Sequence, residues 1–199
     1  MLAVHRYDED VWTVADALTA NECADFIARG EAIGFEPASV SLPTGAQMMS
    51  HIRNNDRVIL DDAALAATLW ERMKPYAPAT FDGFAATGLN PRLRYYRCEP
   101  GQRFKRHKDG RVVLPSGETS RVTLMFYLND GCEGGETAFR DYGFGSGGKK
   151  GEFVVIPTAG SALFFTHERW HEGSPVRAGV KYVLRTDVFY AGAPAGDSV

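Results

Sequence analysis

Three residues in the second half of the chain could together bind a metal ion: His107, Asp109 and His171. Two imidazoles and one carboxylate form the facial triad that holds non-haem Fe(II) and leaves coordination positions open. In an extended segment residues i and i+2 point to the same side, so His107 and Asp109 can bind one ion from the end of one strand. The third ligand must then come from a distant strand that folds back alongside. The pattern predicts an iron site, but an H-x-D pair alone is common by chance.

The segments around these residues make the pattern specific. E-G-G-E-T stands at 133–137, H-E-G-S-P-V begins at His171, and Lys181 follows that histidine by ten residues. A Tyr-Leu-Asn run ends at Asn129. With these motifs residues 92–190 resemble the prolyl-hydroxylase branch of the Fe(II)/2-oxoglutarate dioxygenases, and the N-terminal part resembles it more loosely.

The spacing of apolar residues predicts an α+β protein that is mainly β. Thr19 and Glu22 form a capping-box pattern at the start of one helix, and residues 63–73 favour a second helix. From Leu93 the period becomes two, which is typical of strands. We predict strands at 93–98, 111–114, 121–128, 151–156, 162–166 and 180–190, a glycine-rich connection at 143–151 and a frayed tail at 193–199.

Many short strands separated by Gly/Pro turns, with the helices at the front, indicate an antiparallel sandwich or barrel. The resemblance specifies the double-stranded β-helix, a jelly-roll, cupin-like barrel with its site at one mouth. At 199 residues the chain is long enough to bury the core of one domain. We therefore expect a single Fe(II)/2-oxoglutarate dioxygenase domain over 1–199. Within it, 1–90 would supply helical support and a substrate lip, and 91–190 the catalytic barrel.

Composition narrows the partners and the compartment. A hydrophobic content of 44% and a charged content of 24% are ordinary globular values. The net charge of −3 favours neither nucleic acid nor an anionic membrane as a partner, and no apolar run reaches the roughly 18 residues of a membrane span. The three cysteines, Cys23, Cys98 and Cys132, are widely spaced, which suits reduced thiols in a cytoplasmic protein.

The resemblance also implies a 2-oxoglutarate site beside the iron. The cosubstrate would take two metal positions and dioxygen the third, and its buried far carboxylate needs a cationic partner. Lys181 stands at the family's position for that partner, and Arg185, on the same side of the strand, is the alternative. Tyr127 matches a family tyrosine that also holds this carboxylate, and Thr123 lies on the same strand face. Ascorbate (vitamin C) would serve as the reductant.

The sequence departs from the family near the iron. Many prolyl hydroxylases have a tyrosine nine or ten residues before the first histidine ligand, and here those positions are Cys98 and Arg97. Tyr96, on the same strand face as Cys98, is the candidate replacement. This departure leaves the prolyl character of the substrate open.

Substrate contacts are predicted at the rim of the barrel. The family carries an arginine in a lip segment at about the place of Arg53, although the Thr-Ser that often follows it is Asn54-Asn55 here. A solvated loop is an equal alternative for this segment. Arg111 and Trp170 complete the predicted rim.

We therefore expect an Fe(II)- and 2-oxoglutarate-dependent dioxygenase that releases succinate and carbon dioxide. It would hydroxylate a peptidyl side chain, with proline as one candidate, or an amino-acid-like substrate. A zinc metallopeptidase is the first alternative, because residues 167–171 read H-E-x-x-H and would offer His167 and His171 to zinc from a helix. Residues 173–175, Gly-Ser-Pro, leave room for only about one helical turn, too short to be stable unaided. A non-catalytic jelly-roll binding protein is the second alternative, against which the intact metal and cosubstrate residues argue.

Overall fold

The protein is described by a computed structural model at residues 1–42, 45–140 and 151–192, and this part of the chain is mainly β-structure with two helices. Helix α1 spans Ala20–Ile33 and helix α2 spans Ala63–Met73. The predicted capping box is confirmed, since the backbone N–H of Glu22 donates to Thr19 Oγ1 and that of Thr19 donates to the Glu22 carboxylate. Asp62 caps α2 by accepting from the N–H of Leu65 at 2.9 Å. No helix in these three ranges is long and apolar enough to cross a membrane.

The strands of the described ranges are short, and every pairing between them is antiparallel. In chain order they are β1 (Val4–Asp8), β2 (Val11–Val14), β3 (Glu36–Pro37), β4 (Val40–Leu42), β5 (Gly45–Gln47), β6 (Asp56–Asp61), β7 (Thr80–Phe81), β8 (Phe84–Leu89), β9 (Arg92–Cys98), β10 (Phe104–His107), β11 (Thr119–Tyr127), β12 (Glu133–Gly134), β13 (Thr137–Phe139), β14 (Phe153–Val155), β15 (Ala162–Thr166), β16 (His171–Gly173), β17 (Val176–Ala178) and β18 (Lys181–Tyr190).

Two main sheets organise these strands as a jelly roll. The larger has ten strands, of which eight run in the order β1-β2-β15-β11-β18-β9-β6-β3, while β8 pairs with β18 and β7 with β8. The smaller sheet has the order β10-β16-β13-β14, and β12-β17 and β4-β5 form two short ribbons. The jelly-roll fold is confirmed, but the sheets do not close into a barrel among the described residues, because no continuous strand pairing joins their edges.

Side chains on the two central strands alternate between two cores. Val122, Leu124 and Phe126 of β11 belong to a cluster that packs against the helices, whereas Met125 and Tyr127 belong to a second cluster. The second cluster also contains residues of the smaller sheet, so it fills the space between the sheets. Both faces of β11 and β18 are covered, and the predicted site residues Thr123, Lys181 and Arg185 all lie on the face of the second cluster.

One predicted strand is wrong, and several strands were not predicted. Residues 111–114 are not a strand, since Val113 makes only an isolated bridge to Thr119. The chain turns back there through Gly117, whose φ is +88°, and the N–H of Leu114 donates to the Glu118 carbonyl. The unpredicted strands include β1, β2, β10 and β16. The predicted connection at 143–151 (apart from Gly151) and the tail at 193–199 lie outside the described residues, and the division at residue 90 stays a prediction.

The E-G-G-E-T motif is a tight link between β12 and β13. Gly134 and Gly135 both have positive φ, +78° and +69°. A Cβ on Gly134 would lie 2.4 Å from the carbonyl oxygen of Pro175, a backbone atom that cannot move aside alone. Glycine is therefore favoured at both positions, because a Cβ there would meet an unfavourable backbone conformation and close neighbours.

We predict that Gly134→Ala lowers the free energy of unfolding by about 2 kcal/mol or more, because it combines left-handed backbone strain with a backbone clash. Gly83→Ala is the matched control, since Gly83 has a φ of +83° and open space around its Cα, and it should cost about 1 kcal/mol. Urea unfolding of both variants measures the difference. Equal losses would show that the contact with Pro175 is relaxed at no cost.

Candidate metal centre

The two histidines of the predicted triad face each other across a pair of strands. His107 ends β10, His171 begins β16, and the register of the two strands places them directly opposite. Asp109 follows His107 by two residues, and its carboxylate oxygens lie 3.6 Å from His107 Nε2 and 3.8 Å from His171 Nε2. One ligand atom from each of the three residues lies within 4.8 Å of the other two. This is the spacing of groups that could share one ion.

Backbone carbonyl groups fix which nitrogen each histidine offers. The Nδ1–H of His107 donates to the carbonyl of Lys105 at 2.9 Å, and the Nδ1–H of His171 donates to that of Arg169 at 3.0 Å. Each ring is therefore held with its Nε2 lone pair towards Asp109. A hydrogen bond on the far nitrogen is the usual way in which proteins set the tautomer of a metal-binding histidine.

The Asp109 side chain is almost fully buried, and each of its oxygens has a partner of its own. The hydroxyl of Thr123 donates to Asp109 Oδ2 at 2.6 Å, and Arg185 Nη1 lies 3.1 Å from Oδ1. Both partners were predicted to bind 2-oxoglutarate, and that role stays a prediction; in the structure both contact the acidic ligand of the triad. The buried carboxylate thus has a cation and a hydroxyl to replace its lost water.

Arg185 is itself held by a second buried carboxylate, Asp187. Arg185 Nη2 lies 2.9 Å from Asp187 Oδ1, and Arg94 lies 3.0 Å from Asp187 Oδ2. His167 Nε2 is 3.5 Å from Asp187 Oδ1 and makes no hydrogen bond within the described ranges. Asp187 was not among the predicted site residues. The available signal was its spacing, because Asp187, Arg185 and Lys181 share one face of β18.

The surroundings set the charge states that metal binding requires. Burial alone would raise the pKa of Asp109, but Arg185, followed by His171 and His107, outweighs burial and holds this pKa well below its usual range. Burial, with the nearby His107 second, lowers the pKa of His171 to about 3. The centre therefore contains an ionised carboxylate and a neutral imidazole at neutral pH, the forms in which these groups bind metals.

The donor set suits Fe(II). Two neutral imidazole nitrogens and one carboxylate are the 2-His-1-carboxylate facial arrangement, whose other positions stay open. The Asp109 oxygens keep lone pairs beyond those used by Thr123 and Arg185. The residues present thus fit the ion that the sequence predicts.

A cavity of about 70 Å³ opens beside the triad. Its lining comes from both sheets and from the segment before β6, and comprises Arg53, Asn55, Tyr96, Cys98, Arg103, Phe104, His107, Asp109, Met125, Thr137, His171, Gly173, Ser174, Lys181, Val183 and Arg185. The predicted cosubstrate residues Lys181, Arg185 and Tyr96 are therefore on its wall. Phe104 and Thr137 are lining residues that the sequence did not indicate.

Lys181 is a buried cation without a carboxylate partner in the described part of the chain. It is 6% exposed, its Nζ donates to the carbonyl of Gly135, and it lies 5.3 Å from the centre of the Tyr127 ring. Burial lowers the pKa of Lys181. Tyr127 is fully buried, does not line the cavity, and forms a hydrogen bond of 2.7 Å with Thr137 Oγ1. Tyr127 thus supports the floor of the cavity beneath Lys181.

The predicted rim residues divide into two groups. Arg53 and Asn55 are buried and line the cavity. Asn54, Arg111 and Trp170 do not line it. Asn54 Oδ1 accepts from the backbone N–H of Arg103, just before β10, while Arg111 pairs with Glu168 and Trp170 stacks with Arg106.

The H-E-x-x-H sequence at 167–171 is not a helix. His171 is in a strand, and the neighbouring residues 167–170 form a turn. His167 faces Asp187. Among the described residues, the group that could hold a metal ion comprises His107, Asp109 and His171, without His167. No observation supports the zinc-peptidase alternative.

We predict that His171→Ala abolishes Fe(II) binding, because two remaining ligands hold the ion poorly, whereas His167→Ala keeps most of it. Anaerobic titration with Fe(II), followed by calorimetry, measures both. Equal losses in the two variants would mean that the distal ligand is wrongly assigned.

Comparison with known proteins agrees with this geometry. Residues 92–186 match the family model of the 2OG-Fe(II) oxygenase superfamily. The sequence matches no curated protein.

Similar solved structures are prolyl hydroxylases. The 2-oxoglutarate complex of the viral collagen prolyl hydroxylase from Paramecium Bursaria Chlorella virus-1 is 19% identical, with a TM-score of 0.62 over 91% of this chain and 96% of that one. A Pseudomonas putida prolyl-4-hydroxylase is 21% identical, with a TM-score of 0.64 over 92% and 94%. A Trichoplax adhaerens prolyl hydroxylase, solved with a peptide fragment of the hypoxia inducible factor oxygen degradation domain, is 17% identical, with a TM-score of 0.66 over 90% and 83%.

The family match contains all three residues of the triad and Lys181, and the fold is shared along nearly the whole described chain. The second half of the chain thus resembles the 2OG-Fe(II) oxygenase superfamily over residues 92–186, and the fold of the whole described chain is that of the prolyl hydroxylases.

Proposed function

We propose that this dioxygenase hydroxylates a peptidyl, prolyl-type substrate and converts 2-oxoglutarate to succinate and carbon dioxide as it does so. In the proposed site His107, Asp109 and His171 hold Fe(II), and Lys181 holds the far carboxylate of 2-oxoglutarate. One observation carries the proposal. A buried ammonium without a carboxylate partner lines the same small cavity as two imidazoles and a carboxylate that can share an ion.

The chain's own residues supply position and electrostatics. Fe(II) at this site supplies the activation of dioxygen by which 2-oxoglutarate is decarboxylated and a C–H bond of the acceptor is oxidised. Arg185 and Thr123 orient Asp109, and the carbonyls of Lys105 and Arg169 orient the two histidines. Met125 and Val183 on the cavity wall exclude water from it.

Lys181 is better placed than Arg185 to bind the cosubstrate. Both Nη groups of Arg185 are already within 3.1 Å of carboxylate oxygens, whereas Lys181 has only a carbonyl and an aromatic ring as partners. A buried charge is costly unless it is paired. A dicarboxylic cosubstrate supplies the missing anion to Lys181, so we assign Arg185 to the positioning of Asp109.

A similar solved structure and the lip beside the cavity support a peptidyl substrate. The Trichoplax adhaerens prolyl hydroxylase, with a TM-score of 0.66, was solved in complex with a peptide fragment. In this chain the segment 52–55 pairs with β10 through the Arg53–Phe104 bridge and carries Arg53 and Asn55 to the cavity. Such a lip beside the metal centre suits a substrate that enters from the surface.

We expect the protein, supplied with Fe(II), 2-oxoglutarate, ascorbate and a proline-containing peptide library, to form succinate in step with products that are 16 Da heavier. Mass spectrometry measures the peptides and a coupled assay the succinate. The Asp109→Ala variant, which lacks the carboxylate ligand, is the control and should form neither. Absence of any succinate from the wild-type protein would exclude the proposed reaction.

We predict that Lys181→Ala raises the 2-oxoglutarate requirement roughly a hundred- to several-thousand-fold, because half of a buried ion pair is then missing. Fe(II) binding should survive. Lys181→Arg should do less harm, since it keeps the charge with a different reach and shape.

Arg185→Ala is the matched comparison on the same strand face. It should weaken Fe(II) binding in calorimetry more than it weakens 2-oxoglutarate binding, because it releases Asp109. If Lys181→Ala titrates with 2-oxoglutarate like the wild type and Arg185→Ala does not, Arg185 is the anchor.

A further inference from the structure

A second cation on the cavity wall, Arg53, belongs to the proposed substrate lip, but the group of the acceptor that it would bind has not been named so far. It is 5% exposed, and its guanidinium lies between two aromatic rings, 4.6 Å from the centre of Tyr96 and 4.5 Å from that of Phe104. Its Nε donates to Asn55 Oδ1 at 2.8 Å. The rings stabilise the positive charge on two sides without neutralising it.

No carboxylate pairs with Arg53 among the described residues. The nearest acid along the lip, Asp56, is 3.0 Å from Arg97, and Glu99 also faces that arginine, at 3.7 Å. Lys108 and Arg111, at the edge of the metal site, share Glu168. Arg53 is thus a buried positive charge in a cavity whose neighbouring acids are engaged elsewhere, and a buried charge of this kind calls for an anionic partner.

The cosubstrate does not meet this need. Its two negative charges are balanced by Lys181 and by the single positive charge that Fe(II) keeps when it binds one carboxylate. Arg185 and Arg94 already share Asp187. Among the described residues Arg53 therefore has no carboxylate partner even when 2-oxoglutarate is bound to Lys181, and an anionic group on the acceptor would supply one.

The position of Arg53 suits contact with the acceptor. Its backbone bridges to Phe104, and the N–H of Lys105 donates to the carbonyl of Ile52 at 2.9 Å, so the lip is fixed to β10 next to His107. Phe104 stacks on the His107 ring with 3.5 Å between centres. Arg103, which is exposed and forms no ion pair within the described ranges, also lines this cavity. A path of positive charge therefore leads from solvent to the metal ligands.

We propose that the acceptor carries a carboxylate close to the oxidised carbon, and that Arg53 binds this carboxylate while Arg103 attracts it at the entrance. The inference rests on the proposed function and specifies its substrate class as acidic. The carboxylate has two sources, an Asp or Glu side chain next to the oxidised residue of a peptide, or the α-carboxylate of a free amino acid. A guanidinium suits either source, since it can bind both oxygens at once.

The test measures binding with Fe(II) and 2-oxoglutarate present and dioxygen absent, so that no turnover occurs. Immobilised protein captures peptides from a randomised hexapeptide library with blocked ends, and mass spectrometry compares Asp and Glu with Asn and Gln at each position. A second arm compares free amino acids with their amides by calorimetry. The variants are Arg53→Gln, Arg53→Lys and the charge-matched control Arg177→Gln, whose exposed side chain on β17 does not line the cavity.

We expect the wild type to favour the acid over the amide about tenfold to a hundredfold in one of the two arms, as charge-assisted hydrogen bonds imply. The arm that responds identifies the source. Arg53→Gln should remove most of this preference, and Arg177→Gln should keep it. Arg53→Lys should keep a preference that is smaller than that of the wild type, and it serves as the deciding variant if the glutamine variant does not fold.

Three results would overturn the inference. They are equal binding of acids and amides by the wild type in both arms, an acid preference that is the same in the wild type and both Arg53 variants, and a larger loss of 2-oxoglutarate binding than of acceptor binding in Arg53→Gln. The last would make Arg53 a cosubstrate residue. Failure of the proposed function is distinct, because it appears as a wild-type protein that forms no succinate under dioxygen whatever its binding preference.

Discussion

The metal centre depends on one buried carboxylate being held still. Asp109 is the only member of the proposed triad outside a strand, since it follows the end of β10. Its orientation is supplied by the larger sheet instead, through Thr123 of β11 and Arg185 of β18. The two sheets are thereby linked at the centre by an ion pair and a hydrogen bond. Asp109 lies in a loop, but these contacts hold it as firmly as a residue of the sheet. A metal ligand needs such a fixed orientation.

The ion pair of Asp109 and Arg185 is buried, and removing these charges from water costs free energy. Burying two ions costs several kcal/mol each, and the attraction between them recovers this only with good geometry and additional hydrogen bonds. Arg185 meets that condition because Asp187 takes its second Nη group, and Asp187 in turn has Arg94 on its other oxygen. The chain of alternating charges ends near the surface, since the Arg94 side chain is 15% exposed. We interpret this series of ion pairs as fixing the position and the ionised state of Asp109, with little net contribution to the free energy of unfolding.

The sequence could predict what depends on local pattern. Each of these patterns is contained in a few consecutive residues and is therefore visible without the fold. They are the capping box at Thr19, the period-two runs of β9, β11 and β18, and the H-x-D and E-G-G-E-T motifs. The partners of Arg185 could not be predicted in this way. Spacing places it on the same strand face as Lys181, but which side chain lies opposite depends on the loop that brings Asp109 over β18. Strand β2 was missed although its residues, Val11–Val14, favour a strand and it pairs with the adjacent β1 as well as with the distant β15. At 111–114 the β-branched residues favour a strand, yet the turn through Gly117 leaves them one bridge only.

The hydrogen bonds that fix the two histidine rings run to backbone carbonyls two residues earlier, not to side chains. Each of these hydrogen bonds closes a loop of three residues, Lys105–His107 or Arg169–His171. The side chain of the middle residue takes no part in it. Those middle residues, Arg106 and Trp170, point away and stack on each other with 4.7 Å between guanidinium carbon and ring centre. The shape and charge of this surface beside the triad can therefore change by substitution without altering the hydrogen bonds that orient the two histidines.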